Sequence, residues 1–287
     1  MLALKIPLEA VQAYRTKTFR MLAQDHLRSK EDAVEFANTR GFVYFWPIRD
    51  VLMPSLWAAA AGDRPVADEH NDPGHVTWGW KDELLGKKQW YYAKVLRKKA
   101  TIISLDVLPY FYALSENYGS PEEDYLTLYQ QGRSTLESKI VFETLLKEGP
   151  LDTIELRKAA HMSSRDSDSR FNRALSDLQA NFQILPTGIT QSGRWHYAHL
   201  YDLTIRHIPD LIDQTRFIDD RKAQQTLAEL YLRSIGAAQP RDFIRLFGWS
   251  ADVVSRTINS LVEKGTAVRV ELEDTSGDFI AINELIQ

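Results

Sequence analysis

Ser134-Thr135-Leu136-Glu137 opens the stretch whose reading decides the fold, and Gly149-Pro150 closes its first element. Ser134 and Glu137 stand at capping-box spacing, where each side chain can accept the other residue's backbone N–H. Leu136, Ile140, Val141 and Leu145 then recur at helical spacing. A Gly-Pro pair ends such a run, because glycine tolerates the left-handed cap and proline cannot continue the helix. Asp152 and Glu155 open a second, short helix through His161. Ser164 to Asn181 reads as a third, with Phe171, Leu175 and Leu178 on one face. Phe182-Gln183-Ile184-Leu185 and Arg194-Trp195-His196-Tyr197 read as two strands, with Gly188 and Gly193 between them. Three helices followed by two strands is the plan of a winged helix-turn-helix, whose third helix usually faces DNA.

The plan repeats roughly 85 residues later. Arg221 to Ile235 is an amphipathic helix ended by Gly236, and Pro240 starts a second that ends near Gly248. Ser250 caps a third, with Val254, Ile258 and Leu261 inward and Gly265 as its stop. Val268, Val270 and Leu272 alternate as a strand, Asp274 to Asp278 turns, and Phe279 to Ile282 returns.

The first half is less regular. Leu8 to Ala23, Lys30 to Thr39 and Val51 to Ala61 read as helices. Between the last two, Gly41-Phe42-Val43-Tyr44-Phe45-Trp46 is aromatic and β-prone, and Pro47 ends it. A Gly- and Pro-containing loop spans 62–76. Thr77 to Leu85 reads as a helix, and Trp90 to Leu96 with Ala100 to Ser104 as a hairpin tipped by Arg97-Lys98-Lys99. Asp106 to Leu114 and Glu122 to Gln131 follow as helices. The expected fold is mainly α with small β wings: three tandem winged helix-turn-helix-like units. Its segments are a first unit over 1–64, an aromatic and basic insertion over 65–133, a second unit over 134–210 and a third over 217–287.

Composition narrows the function. The 287 residues include no cysteine, which excludes disulfides, thiol catalysis and Cys-held zinc or iron–sulfur clusters. The start, Met1 to Pro7, lacks the pattern of a signal peptide, and no apolar run reaches the ~18 residues of a membrane span. A cytoplasmic protein is expected. Lys and Arg number 35 against 39 Asp and Glu, a net −4, so any nucleic-acid contact must use a local patch.

Such a patch exists. Between 81 and 99, seven bases (Lys81, Lys87, Lys88, Lys94, Arg97, Lys98 and Lys99) face two acids, Asp82 and Glu83. Trp78, Trp80, Trp90, Tyr91 and Tyr92 are interleaved with them. Cations bind phosphates and aromatic faces stack on bases, so the mixture suits nucleic acid. The alternative is a solvated hairpin over an aromatic core. The helix at 164–181 offers Arg165, Arg170 and Arg173, offset by Asp166, Asp168 and Asp177. The last wing carries Glu271, Glu273, Asp274 and Asp278 against Arg269, and phosphates would repel it. Asp68 to His75 holds five potential metal ligands, but their spacing matches no metal motif and no metal is assigned. His196 and His199 fall on opposite faces of a strand and form no ligand pair. No phosphate loop, dinucleotide fingerprint or nucleophile elbow is present, so no cofactor is expected.

Three winged-helix-like units, with Gly41-Phe42-Val43-Tyr44-Phe45-Trp46-Pro47-Ile48 closing the first, resemble the AlkZ/YcaQ-like DNA glycosylases over nearly the whole chain. The resemblance implies a C-shaped array around duplex DNA and hydrolysis of alkylated or crosslinked bases from their sugars. It also implies a catalytic triplet after the apolar pair, with a Gln first and a Gln or Asp last. Here that triplet is Tyr44-Phe45-Trp46. Tryptophan offers only an N–H donor, and tyrosine is a poor base at its usual pKa of about 10. Either the site has lost hydrolysis or another carboxylate has taken it over, with Asp50, Glu69 and Asp82 as candidates. Tyr44, Trp46, Trp78 and Trp80 would line the lesion pocket. Lys87, Lys88, Lys94, Arg97, Lys98 and Lys99 would hold phosphates, helped by Arg165, Arg170 and Arg173.

The function expected is therefore a monomeric DNA-repair protein on damaged duplex DNA, away from membranes. Two rivals remain: a dimeric transcriptional regulator reading a palindrome through the 164–181 helices, and a protein-interaction scaffold.

Overall fold

A computed structural model describes residues 4–117, 119–193 and 196–286. The chain is mainly helical with three small sheets. Strand β1 (Leu4–Ile6) and helix α1 (Leu8–Thr18) precede α2 (Lys30–Arg40), which a Ser29/Asp32 capping box starts. Then come β2 (Phe42–Tyr44), α3 (Leu56–Ala61), α4 (Val76–Leu84), β3 (Tyr91–Lys94) and β4 (Ala100–Ile103). Helices α5 (Leu108–Ala113) and α6 (Pro121–Gln130) lead to α7 (Leu136–Glu148), β5 (Leu151–Asp152), α8 (Thr153–Ala159) and α9 (Asp168–Ala180). β6 (Ile184–Thr190) and β7 (Ala198–Leu203) follow, then α10 (Thr204–His207), α11 (Leu211–Thr215) and α12 (Asp220–Ile235). The chain closes on β8 (Ala237–Ala238), α13 (Pro240–Phe247), α14 (Ala251–Glu263), β9 (Ala267–Leu272) and β10 (Thr275–Ile282).

One order, helix, strand, helix, helix, strand, strand, occurs over 30–103, 136–203 and 220–282. Each time the last strand sits centrally in an antiparallel sheet: β2-β4-β3, β5-β7-β6 and β8-β10-β9. β1 extends the last sheet, parallel to β9. The partners of β2 are therefore strands of the 65–133 segment, with Phe42 opposite Ile103 and Tyr44 opposite Thr101.

Other details differ from the sequence reading. Thr135, not Ser134, caps α7: it has the extended backbone, and its hydroxyl oxygen accepts the Ser138 N–H at 3.1 Å. The helix expected from Val51 starts at Leu56, because Pro54 holds the preceding chain extended and Ser55 caps it. The strands expected at 182–185 and 194–197 lie later. Phe182 takes a left-handed φ of 57° and belongs to the turn after α9, with its ring 5.4 Å from Tyr91. His196 also turns, at φ 50°, while Arg194 and Trp195 lie outside the described residues.

The three repeats meet at the hairpin tip. Arg97 and Lys98 both adopt left-handed φ values, 54° and 56°. Arg97 Nη1 donates to the Arg245 carbonyl at 2.7 Å, and Lys98 pairs with Asp177 of α9. Arg245 Nη1 donates in turn to the Asp50 carbonyl at 2.8 Å.

Asp152 shows how locally one side chain ties a helix start to its β-hairpin. One carboxylate oxygen accepts the Ile154 and Glu155 N–H groups, and the other accepts the Thr190 and Ser192 hydroxyls at 2.9 and 2.5 Å. Burial would raise its pKa, but these four donors together hold it below the usual carboxylate range. Asp152→Ala should cost about 2–3 kcal/mol, a helix cap plus two hydroxyl bonds. The depressed pKa means this stability is present above the unfolded value, about 3.9, and is lost as pH falls through the folded one. Urea unfolding at pH 7 and pH 3 should therefore show a smaller acid loss in Asp152→Asn than in the parent.

Candidate functional site

The run from Phe42 alternates between two cores. Phe42 and Tyr44 enter the large core shared with α5, α12, α13 and α14, while Val43 and Phe45 enter a second core with α2, α3 and α4. Trp46 is the first residue of the run to leave full burial. Its ring lies 4.7 Å from Phe45, 5.9 Å from His75 and 6.0 Å from Trp78. Trp46, His75 and Trp78, with Val66, Asp68 and His70 of the loop before α4, line an open cleft of about 500 Å³.

The loop is built to stand there. Arg64 gives two N–H groups to the Asp72 carboxylate, at 2.8 and 2.5 Å, and stacks 4.9 Å from the Trp57 ring. Asp72 also accepts the Gly74 N–H at 2.7 Å. A Cβ on Gly74 would come within 2.8 Å of the Ala61 Cβ, so only glycine allows this approach. His75 Nε2 lies 3.0 Å from the Ala67 carbonyl, which orients the ring beside Trp46.

Behind Trp78 lies a buried ionic cluster. The Lys81 side chain is 1% exposed, with Nζ 2.6 Å from the Asp82 carboxylate. Nζ also donates to the Tyr197 hydroxyl at 2.9 Å and lies 3.4 Å from His199 Nε2. Tyr197 donates its O–H to Asp82 at 2.9 Å. The rings of Trp78, Tyr92, Tyr197 and Phe45 stand 4.5, 5.4, 5.6 and 6.0 Å from the ammonium, a cation–π cage. Burial lowers the Lys81 pKa and Asp82 opposes it. Burial and then the Lys81 charge push His199 down to about 4, so it is neutral at pH 7. Burial first, then Asp82, raises Tyr197.

The residues singled out from sequence thus separate. Trp46 and Trp78 come together at the cleft. Trp80 does not: it is 8% exposed in the second core, because on α4 it faces away from Trp78. Tyr44 is fully buried, its hydroxyl has no partner among the described residues, and burial pushes its pKa to about 12, so it cannot reach the cleft. Asp50 is 75% exposed beside Arg49, away from the cleft. Asp82 is committed to Lys81 and Tyr197, and exposed Glu69 does not line the cleft. Lys87, Lys88, Lys94 and Lys99 are exposed, as are Arg165 and Arg173, and none has an ion pair among the described residues. Arg170 is exposed and lies 3.2 Å from Glu137. Arg97 and Lys98 are bound to other repeats. Among the described residues, no group of three or more His, Asp or Glu could hold a metal ion.

The sequence places Lys81 in the basic patch and Asp68 in the polar loop, but gives neither of them, nor Tyr197 or His199, a role at the cleft. Trp78, Lys81 and Asp82 share a helix face by their i, i+3, i+4 spacing, a signal legible beforehand. Tyr197 and His199 are brought to them by tertiary contact alone.

Comparison with known proteins now places the chain. The AlkZ-related family model matches residues 27–248. The chain belongs to the AlkZ-related family. Its fold resembles the Streptomyces sahachiroi DNA glycosylase AlkZ, with TM-score 0.61 and 14% identity over 98% of this chain and 71% of that one. No curated protein matches it. In this AlkZ-related chain, positions 44–46, where the resemblance implies a polar triplet, hold a buried Tyr, a buried Phe and a Trp at the cleft. No helix among the described residues is long and apolar enough to cross a membrane.

Removing Lys81 alone leaves the Asp82 carboxylate buried without its cation, so Lys81→Met should cost about 3–5 kcal/mol in urea unfolding. Adding Asp82→Asn should recover most of it. His199 acts through pH. Its folded pKa is depressed, so the unfolded chain binds more protons between about 4 and 6.5. Its contribution is full above pH 6.5 and is lost toward pH 4, by about 2 kcal/mol after allowing for partial exposure. His199→Gln should remove that part of the pH dependence.

Proposed function

We propose that this protein is a monomeric DNA-repair glycosylase that receives an extruded, alkylated base in the Trp46–Trp78 cleft. The observation that supports this most is the convergence of Trp46, Trp78 and His75 at the end of β2, where the family resemblance locates catalysis. Aromatic faces at that point suit a flipped base, which such enzymes hold by stacking. The recurrent element order supports three winged-helix units, over 30–103, 136–203 and 220–282. Exposed Lys87, Lys88, Lys94 and Lys99, with Arg165, Arg170 and Arg173, supply the phosphate contacts. Arg97 and Lys98, exposed at the same tip, also tie the repeats together.

Hydrolysis needs a group that accepts a proton from the attacking water. Trp46 cannot, Tyr44 is buried, and Asp82 is neutralised by Lys81. Asp68 is the one carboxylate among the described lining residues of the cleft. In the proposed reaction it takes the water proton as oxygen attacks the sugar C1′ and the base departs with the glycosidic electron pair. The substitutions at 44 and 46 also favour a second reading, a relative that binds damaged DNA without cleaving it.

One set of labelled duplexes, undamaged and alkylated, separates these readings at low and moderate salt. Abasic product is expected from the alkylated duplex. Asp68→Asn should slow its release by roughly 100-fold or more, the size of a general base effect. Trp46→Ala should weaken binding about 10-fold, one stacking contact. Salt-sensitive binding without product would establish the second reading. Absence of binding to either duplex at low salt would sink both.

A further inference from the structure

Away from the cleft, the start of α7 borders a cavity of about 200 Å³ beside the hairpin tip, where Lys98 meets Asp177 of α9. Ser134, Thr135, Ser138 and Gln183 line it, with Lys98 and Arg133 at its edge. Residues able to donate, Asn181 among them, share the lining with Asp177, Leu178 and Ala180. The Leu136 and Glu137 N–H groups at the same helix end have no acceptor among the described residues, as first-turn amides do. Ser134, displaced from the cap by Thr135, leaves its hydroxyl without a partner there. Ser138 is 2% exposed; its oxygen accepts the Thr135 hydroxyl at 3.0 Å, so its own proton is free.

Gln183 points most directly to a ligand. It is 7% exposed and lines the cavity, yet its side-chain amide has no hydrogen bond among the described residues. Neither amide atom is sealed from solvent, so the carboxamide faces the cavity and is open to a ligand there. The local charge favours an anion. Lys98 and Arg133 line the cavity against one acid, Asp177, and the helix adds about half a positive charge. Lys98 spends one of its three donors on Asp177, and Arg133 pairs with Glu116.

We propose that this cavity is a phosphate-binding site. Hydroxyls, first-turn amides and a buried carboxamide around a cationic edge match an oxyanion with several acceptor oxygens. The phosphate comes either from a nucleic-acid backbone or from free phosphate, and the site does not depend on the glycosylase reading.

Amide NMR of the full chain tests it, by titrating inorganic phosphate against chloride at equal ionic strength. Saturable shifts at the Leu136 and Glu137 amides and the Gln183 carboxamide are expected with phosphate only. Ser134→Asp places a carboxylate at the mouth without disturbing the Thr135 cap, and should weaken binding at least tenfold. Gln183→Leu, which removes the buried amide, should also weaken it. A duplex arm identifies the source. If the same signals move with duplex, and Ser134→Asp lowers the salt dependence of duplex binding by about one phosphate contact, the source is the backbone. If they move with inorganic phosphate alone, it is free phosphate. Equal shifts with phosphate and chloride, or phosphate shifts that persist undiminished in Ser134→Asp, would overturn the proposal. A chain that binds no duplex still answers the phosphate arm, so the two readings fail separately.

Discussion

Burial of β2 on both faces is the constraint that organises the molecule. Phe42, Val43, Tyr44 and Phe45 are all fully inside, and their rings and branches point alternately into two cores. A strand so placed has no water to satisfy its backbone. Tyr44 N–H therefore goes to the Pro54 carbonyl at 3.0 Å and Phe45 N–H to the Ala100 carbonyl at 2.9 Å. The hairpin from 91 to 103 must lie against it, and α5 and α12 must close over it. Truncating one such aromatic in a well-packed core costs about 3–5 kcal/mol, a large share of a domain's stability. The position of Trp46 follows, because it is where this dry strand emerges.

That dryness bears on position 44. A Gln there would bury a carboxamide where even the Tyr44 hydroxyl finds no partner. The polar groups that face water stand one layer out, on the loop held by Arg64 and Asp72. Asp68 and His75 reach the cleft from that loop, not from the strand.

The repeated helices were legible because they depend on local signals: caps at Asp152 and Ser250, glycine stops at Gly149, Gly236 and Gly248, and apolar spacing inside each helix. The strands after α9 were misplaced because Phe182 looks β-prone, whereas packing against Tyr91 takes it into a left-handed turn. The partners of β2 were hidden because pairing across about 60 residues leaves no local trace. Trp78 and Trp80 looked alike in sequence. Two residues on a helix are about 200° apart, so one reaches the cleft and the other the core.

Charge shows the same division between what residues are and what the fold makes of them. The seven bases between 81 and 99 have three fates. Lys81 is caged by rings against Asp82; Arg97 and Lys98 hold left-handed backbone, which costs roughly 1–2 kcal/mol each, against contacts to α13 and α9. Only Lys87, Lys88, Lys94 and Lys99 remain exposed with neither an ion pair nor a side-chain hydrogen bond among the described residues. The rest of the chain is acidic enough to give a net −4. At physiological salt, however, exposed charges beyond about 8 Å are largely screened. A phosphate near one of these lysines is therefore governed by the charges within that distance and not by the chain's net charge. A net-acidic chain is compatible with a polyanionic partner on that physical ground, because only the charges near the contact count.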